Sequence, residues 1–294
     1  MPKSLDDLVE LLDLEQIDVD LYRGRQPETA LQRVFGGQVL GQALVAATRT
    51  VDPDRAVHSL HGYFLRPGDT TVPIVYRAEP TRDGGTFSSR RVVASQHGKP
   101  IFYMSASFQR AEDGLDHADP IPEGVTPPDE SPTLASVLEA STGRSADAWN
   151  SEWAALDVRL ASQTGRQFWV RAAGTLPDDQ PLHACVLAYA SDLTLLGASL
   201  LPHGLVIGDR RIQPASLDHA MWFHRPFRAD EWLLYDQASP SASGARGFST
   251  GRLFTVDGRL VASVVQEGLI RPVGLDEAEI ESRSSSSIPT RNSS

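Results

Sequence analysis

An internal repeat limits the folds open to this chain more than any other feature of the sequence. The tetrapeptide Phe64-Leu-Arg-Pro67 has a counterpart in Phe223-His-Arg-Pro226. In each copy a polar residue and a glycine follow the Phe at nearly the same distance. The glycine Gly98 comes 34 residues after Phe64, and Gly258 comes 35 residues after Phe223. Two signatures in register indicate a duplicated unit, because repeated architectures show self-similarity at a fixed spacing.

Each copy also has the same order of predicted elements, a helix of small apolar residues and a set of long strands. The first helix follows Gly37 and the second lies in 181–200. Few charges occur in either, as is typical of a helix packed on most sides. Runs of β-branched and aromatic residues between Gly and Pro turns predict the strands. These are 58–65, 71–78, 86–96 and 100–109 in the first copy and 155–160, 167–172, 215–225, 231–238, 245–256 and 260–271 in the second.

The pattern predicts an α+β protein in which two similar units each wrap an antiparallel sheet around a central helix. At the N-terminus we expect a helix over 4–14 and one short strand through Ile17, Val19 and Leu21. Proline and acidic residues then mark a linker with at most one short helix, and a Glu- and Ser-rich end predicts a disordered tail. The predicted divisions are an N-terminal unit 1–110, a linker 111–148, a C-terminal unit 149–273 and a tail 274–294.

Charge and cysteine content limit the partners and the compartment. The formal net charge is -11, which argues against nucleic-acid binding because that function needs a basic face. Cys185 is the single cysteine and lies in an apolar run, so no internal disulfide forms and a reducing compartment fits. We see neither a signal segment nor an apolar run long enough to span a membrane, and expect a cytoplasmic protein.

The common hydrolase and cofactor motifs do not occur in this sequence. There is no G-x-S-x-G elbow, so a nucleophilic serine of that kind is not expected. Gly36 to Gly41 has the spacing of a phosphate loop, but Gln42 occupies the lysine position. His219 and His224 are five residues apart in a predicted strand, which is not the spacing of a zinc site. We therefore predict no metal and no cofactor.

Three polar residues instead stand out within apolar segments of the second copy. Asp192 lies in the predicted helix region, Ser216 begins a strand, and Gln266 interrupts the last strand. A carboxylate in such surroundings is costly unless it is hydrogen-bonded. If the three converge, the carboxylate can accept a proton from a water molecule that the hydroxyl and the amide orient. The alternative is structural, since an Asp near a helix start is commonly a cap.

A family resemblance covers residues 4 to 272 apart from the linker. The chain resembles the thioesterase II (TesB-type) family of acyl-CoA thioesterases, and is also similar to peroxisomal acyl-CoA thioesterases. The segments that carry the resemblance are FGGQVLGQAL, VHSLHGYFLRPGD, GKPIFYMSASFQ, YASDL, LDHAMWFHRPF, EWLLYDQ and VQEG. It implies two hotdog domains in one chain, which agrees with the repeat, and hydrolysis of acyl-CoA to the free acid and CoA.

By this resemblance, Asp192 of YASD, Ser216 of ASLDH and Gln266 of VQEG hold the water that attacks the thioester. The family has Thr or Ser at the middle position, and Ser216 keeps the hydroxyl. No segment like YASD occurs in the first copy, so we expect one active site per chain. Hotdog sheets usually pair, and the resemblance therefore also implies a homo-oligomer.

Other residues are candidates for supporting roles. The N–H groups at Gly36 and Gly37 are placed to stabilise an oxyanion, or else these glycines allow close helix packing. His58 is a second candidate base, or a structural residue at a strand end. Asp218 would pair with His219 or with an arginine. The candidates for binding CoA phosphates are Arg66, Arg90, Arg91, Arg210 and Arg211.

Two other functions are compatible with the same fold. Hotdog domains also serve acyl-CoA hydratases and dehydratases, but those use a helix motif that is not found here. A chain that binds acyl-CoA or another lipid without turnover is the second alternative. Since one fold carries several functions, the residues of the site decide between them. The aromatic run through Met221, Trp222 and Phe223 is interpreted as sheet core rather than as the wall of an acyl tunnel.

Overall fold

Two buried helices occupy the centre of the molecule. The computed structural model describes residues 1–143, 145–274, 279, 280 and 282. In α2 (Gly36–Thr48) every residue from Gly37 to Ala47 is buried, and α5 (Gln180–Ser191) is buried from His183 onward. The two helices pack against each other. Their small side chains permit this approach, and the sequence predicted for the first of them a helix packed on most sides.

In the described part of the chain, a single antiparallel sheet of 13 strands surrounds these helices. Its strands are β1 (Glu15–Asp18), β2 (Leu21–Gly24), β3 (Arg55–Phe64), β4 (Ile74–Asp83), β5 (Phe87–Gln96), β6 (Lys99–Arg110), β7 (Leu156–Leu160), β8 (Gln167–Ala172), β9 (Ile212–Ser216), β10 (Asp218–Phe223), β11 (Leu233–Ser243), β12 (Arg246–Thr255) and β13 (Leu260–Pro272). The remaining helices are α1 (Leu5–Leu12), α3 (Leu134–Thr142) and α4 (Ala146–Trp153), with 3₁₀ segments at Pro128–Glu130, Leu195–Ser199 and Leu201–His203.

The two copies join edge to edge through one strand pair. The order across the sheet is β1-β2-β4-β5-β6-β3-β10-β13-β12-β11-β8-β7, and β9 pairs with β13. At the seam, β3 and β10 run antiparallel, with Tyr63 opposite Asp218 and Ser59 opposite Trp222. This pairing satisfies the backbone groups of an edge strand from each copy. The duplicated α+β architecture is thus confirmed, with the two predicted sheets continuous rather than separate.

Some local predictions differ from the structure. The single strand through Ile17, Val19 and Leu21 is a hairpin, because Asp20 takes a φ of 54° and turns the chain between β1 and β2. The segment 215–225 divides into β9 and β10. Both strands pair with β13, β9 over residues 268–272 and β10 over residues 262–265. Trp222 is 42% exposed, so of the aromatic run only Met221 and Phe223 join the core.

The predicted linker contains the helix α3, and α4 begins at its end and continues into the predicted C-terminal unit. No helix was predicted at α4, in which Trp149 and Trp153 lie one turn apart and pack together. Phe35 meets the ring of Trp153 edge to face, and this contact fixes α4 beside the start of α2. The proposed domain boundaries stay predictions. The predicted tail lies outside the described residues except for Gly274, Glu279, Ile280 and Ser282.

One stretch of the chain passes a compositional test for a membrane span. Gln180–His203 has a mean hydropathy of 1.6 over 18 residues, so its length and composition alone would be compatible with a membrane span. In the fold 72% of that window is buried. It comprises α5 and the two 3₁₀ segments beside it, and packing in the core accounts for its hydropathy.

Candidate active site

Asp192 lies where helix α5 ends. It is the C-cap residue, and its side chain is 4% exposed. The interpretation of this residue as a cap at the start of its own helix is therefore wrong. A carboxylate is unfavourable at a helix C-terminus, where the backbone carbonyls already carry partial negative charge. Its position instead depends on groups supplied by other elements.

Ser216 and Gln266 supply two of those groups. Ser216 ends β9, opposite Gly268 of β13, and Gln266 lies two residues before that glycine. Gln266 donates from Nε2 to Asp192 Oδ1 at 2.6 Å and to Ser216 Oγ at 3.1 Å. The Ser216 hydroxyl donates to the same Asp192 oxygen at 3.3 Å. The three residues proposed from the sequence thus form one hydrogen-bonded cluster, drawn from three separate elements.

The glycines at the start of α2 contact the same carboxylate. The Gly37 N–H donates to Asp192, so this carboxylate caps α2 from another helix. A Cβ at position 37 would overlap the carbonyl oxygen of Tyr189, and one at position 36 would lie 2.5 Å from Asp192 Oδ2. Both glycines are therefore required by close packing. Gly36 also faces the adjoining cavity.

Burial makes Asp192 a better base than an ordinary aspartate. Its pKa is raised to about 6 by burial, against the opposing effect of hydrogen bonds from Gln266, Ser216 and Gly37. A carboxylate with a pKa close to neutrality is ionised at pH 7 yet accepts a proton more readily than a solvated one. The arrangement is suited to general-base chemistry on a small polar molecule.

A cavity of about 470 Å³ adjoins the cluster, and Asp192 and Ser216 are in its wall. The rest of the lining is mostly apolar. The N-terminal copy contributes Val34, Phe64 and Gly68 to the lining, among other residues. The Val34 N–H donates a hydrogen bond to the Gly68 carbonyl. From the C-terminal copy come Leu196 and Ile207. Residues of both copies therefore line this cavity.

Two arginines stand on the N-terminal side of this cavity. Arg33 and Arg66 both line it and are exposed, and Arg66 donates to the Pro100 carbonyl. Of the other arginines considered, Arg90 is buried and paired with Asp83, while Arg211 is paired with Asp209. Arg91 and Arg210 do not line the cavity. The sequence missed Arg33, because nothing in it shows that the loop before α2 faces the same space as Arg66.

The remaining candidates lie elsewhere. His58 bonds Ser107 Oγ at 2.8 Å, its pKa is lowered by burial, and it does not line the cavity. Asp218 pairs with His61 at 3.0 Å, not with His219 or an arginine, because it faces the outside of the sheet while His219 faces inward. Among the described residues no group of three or more His, Cys, Asp or Glu side chains is arranged to hold a metal ion.

The chain matches models of both halves of one enzyme family, the acyl-CoA thioesterase N-terminal domain over residues 25–109 and acyl-CoA thioesterase over residues 152–269. Human acyl-coenzyme A thioesterase 8 is 44% identical, with 89% of this chain and 88% of that protein aligned. Acyl-CoA thioesterase 2 of Haemophilus influenzae is 37% identical over 92% of this chain and 99% of that protein.

Solved structures agree with these sequence matches. A crystal structure of an acyl-CoA thioesterase II from Mycobacterium marinum has a TM-score of 0.76 and 49% sequence identity, covering 92% of this chain and 99% of that one. A hot dog fold protein from Alicyclobacillus acidocaldarius has a TM-score of 0.71 at 19% identity, which supports the fold alone. From the matches in sequence, the chain belongs to the thioesterase II (TesB-type) family of acyl-CoA thioesterases.

Proposed function

We propose that this chain hydrolyses acyl-CoA by direct attack of a water molecule that Asp192, Ser216 and Gln266 hold. The observation that carries the proposal is the hydrogen-bonded cluster of these side chains at the wall of a largely apolar cavity. Burial raises the pKa of Asp192 to about 6, and a raised pKa in a carboxylate beside a cavity is a property that a general base needs.

In the proposed reaction, the oxygen of the water attacks the thioester carbonyl carbon, and Asp192 accepts a proton from that water. Ser216 and Gln266 fix the orientation of the carboxylate and of the water. The carbonyl oxygen becomes negatively charged, and the Gly36 N–H at the start of α2 is the candidate donor to it. The tetrahedral intermediate then collapses, the C–S bond breaks, and the CoA sulfur leaves as a thiolate that takes up the proton held by Asp192, which restores the ionised base. No acyl-enzyme forms.

The cavity suggests how the substrate lies. Arg33 and Arg66 on the N-terminal side carry positive charge suited to the phosphates of CoA, because guanidinium groups bind phosphate oxygens in pairs. Leu196, Ile207 and Pro214 on the C-terminal side present an apolar wall suited to the acyl chain. Asp192 lines the same cavity, and in this proposal the thioester lies beside it.

Thiol release from acyl-CoA of several chain lengths tests the proposal, with wild type and Asp192→Asn compared. We expect turnover by the wild type and a loss of at least about 1,000-fold in kcat for the variant, since Asn keeps the shape but cannot accept a proton. A folded Asp192→Asn protein with full activity would refute the mechanism. Binding of acyl-CoA by the wild type without turnover would favour the non-catalytic alternative.

The same assay separates the hydratase alternative, because a hydratase adds water to an enoyl-CoA and releases no thiol. The homo-oligomeric assembly and the cytoplasmic location stay predictions.

A further inference from the structure

A histidine that the proposed mechanism does not use lies directly behind the base. His219, in β10, is fully buried, and its Nδ1 lies 3.7 Å from Asp192 Oδ1. Within the described part of the chain this Nδ1 has no hydrogen-bond partner. Its Nε2 lies 2.9 Å from the Ser191 hydroxyl oxygen. A buried nitrogen without a partner is costly, and such groups call for a functional explanation.

The position of the ring proton follows from the charges around it. Asp192 faces His219 from the end of α5, His61 lies on the outer side of β3, and Tyr235 of β11 donates to the Ser191 carbonyl. Burial and the charge of His61 lower the pKa of His219 to about 3, so the imidazole is neutral at pH 7. A neutral ring carries one proton, on either Nδ1 or Nε2.

Only one of these two tautomers is compatible with an ionised base. With the proton on Nε2, a nitrogen lone pair would face the carboxylate and repel it. With the proton on Nδ1, the nitrogen that lies 3.7 Å from the carboxylate carries the partial positive charge of an N–H group, and Ser191 donates its hydroxyl to Nε2. Ser191 is also placed to donate to the Ala188 carbonyl at 2.9 Å, so its hydroxyl has an alternative acceptor. The charge on Asp192 therefore selects the Nδ1–H form.

We propose that His219 is a positioning residue, which presents its Nδ1–H to Asp192 and thereby favours the ionised state of the base. This inference deepens the proposed function and rests on it. His219 does not line the cavity, so the role we assign to it acts through Asp192. At 3.7 Å the contact is longer than a hydrogen bond, so its effect is that of a dipole near a charge in surroundings of low polarity.

Two amide substitutions separate this role from a purely structural one. In His219→Asn the amide nitrogen can take the place of Nδ1, whereas in His219→Gln it reaches the place of Nε2 and leaves Asp192 without a donor. We expect the acid limb of the kcat/KM profile to move up by about 0.5 to 1 pH unit in His219→Gln and to stay near the wild-type value in His219→Asn. Equal midpoints in all three proteins would overturn the inference.

A readout that does not depend on turnover distinguishes failure of this inference from failure of the proposed function. Carboxyl ¹³C NMR gives the pKa of Asp192 directly, with Asp192→Asn identifying the resonance. In His219→Gln the pKa of Asp192 should rise by about 0.5 to 1 unit, the same amount as the midpoint of the kcat/KM profile. If that variant does not fold, His219→Phe takes its place, because its ring fills the same space but has no nitrogen, which leaves Asp192 without the donor. A rise in the pKa of Asp192 is again expected, and an unchanged value would contradict the role of His219.

Discussion

Gly36 and Asp192 are in such close contact that no side chain fits between them. A Cβ at position 36 would lie 2.5 Å from Asp192 Oδ2 and 3.0 Å from Phe64 Cζ. The start of α2, from the first copy, thus meets the end of α5, from the second, at the carboxylate itself. This contact explains why the fold places an unfavourable charge at a helix C-terminus, since the free N–H groups of the other helix offset it.

Gly36→Ala is expected to displace Asp192 without unfolding the protein. Because the added methyl overlaps the carboxylate, kcat for acyl-CoA should fall by about 10- to 100-fold, as misplacement of a reacting group by about 1 Å does in other enzymes. Steady-state kinetics and a thermal melt measure the two effects. Gly85→Ala is the matched control, since its Cβ meets nothing within 4 Å. Equal activity of both variants would show that the close contact is unimportant.

The raised pKa of Asp192 makes a prediction about stability. In the unfolded chain this side chain has the ordinary aspartate pKa of 3.8, and in the folded chain its pKa is about 6, so between these values the folded state binds more protons. Stability contributed by this group is therefore lost as pH rises from 4 to 7, at a cost of about 3 kcal/mol. The difference in unfolding free energy between Asp192→Asn and wild type should shift in favour of the variant over this range.

Urea unfolding at several pH values measures that difference. A difference that does not change between pH 4 and pH 7 would mean that Asp192 titrates in the folded state as it does in the unfolded one.

In the wild type, kcat/KM should rise with pH through about 6 and then level off, because only the ionised carboxylate accepts a proton.

The sequence was sufficient for the duplicated fold and for the residues of the cluster, because the repeat and the family segments are local patterns. It did not predict which face of β10 points inward. In the segment Asp218-His219-Ala-Met221-Trp222 polar and apolar residues occur on both faces, so the alternation does not show that His219 is buried and Trp222 exposed. That choice depends on the pairing of β10 with β3 and β13, between distant parts of the chain.

Arg33 and Arg66 are expected to act on substrate binding and not on chemistry. Replacing either by Gln should raise KM for acyl-CoA by about 10-fold with little change in kcat, because a charge-assisted contact to phosphate is lost. KM of the wild type should also rise with ionic strength. Arg91→Gln, an exposed arginine away from the cavity, is the control. With acyl-pantetheine, which lacks the phosphates, the variants and wild type should have the same KM. A defect that persists with this substrate would place the phosphates elsewhere.

The wall formed by Gly197 and Ile207 is expected to limit the length of the acyl chain. Both residues line the cavity, and a Cβ at position 197 would lie 3.6 Å from Ile207 Cγ1, which is ordinary contact. A Cβ at position 197 is therefore tolerated, and we expect a larger side chain there to extend into the cavity. In Gly197→Leu, kcat/KM for dodecanoyl-CoA should fall by at least about 10-fold, since each displaced methylene loses its apolar contact.

Acetyl-CoA does not reach this wall, so its kcat/KM should change less than about twofold. The ratio of the two rates is the measurement, and it is independent of the amount of active protein. Val206→Leu, next to the wall but not in the cavity lining, should leave the ratio unchanged. An equal loss on both substrates would indicate a disturbed cluster around Asp192. A loss confined to acetyl-CoA would contradict the proposed orientation of the substrate. The acyl chain would then lie beside Arg33 and the CoA portion beside Ile207.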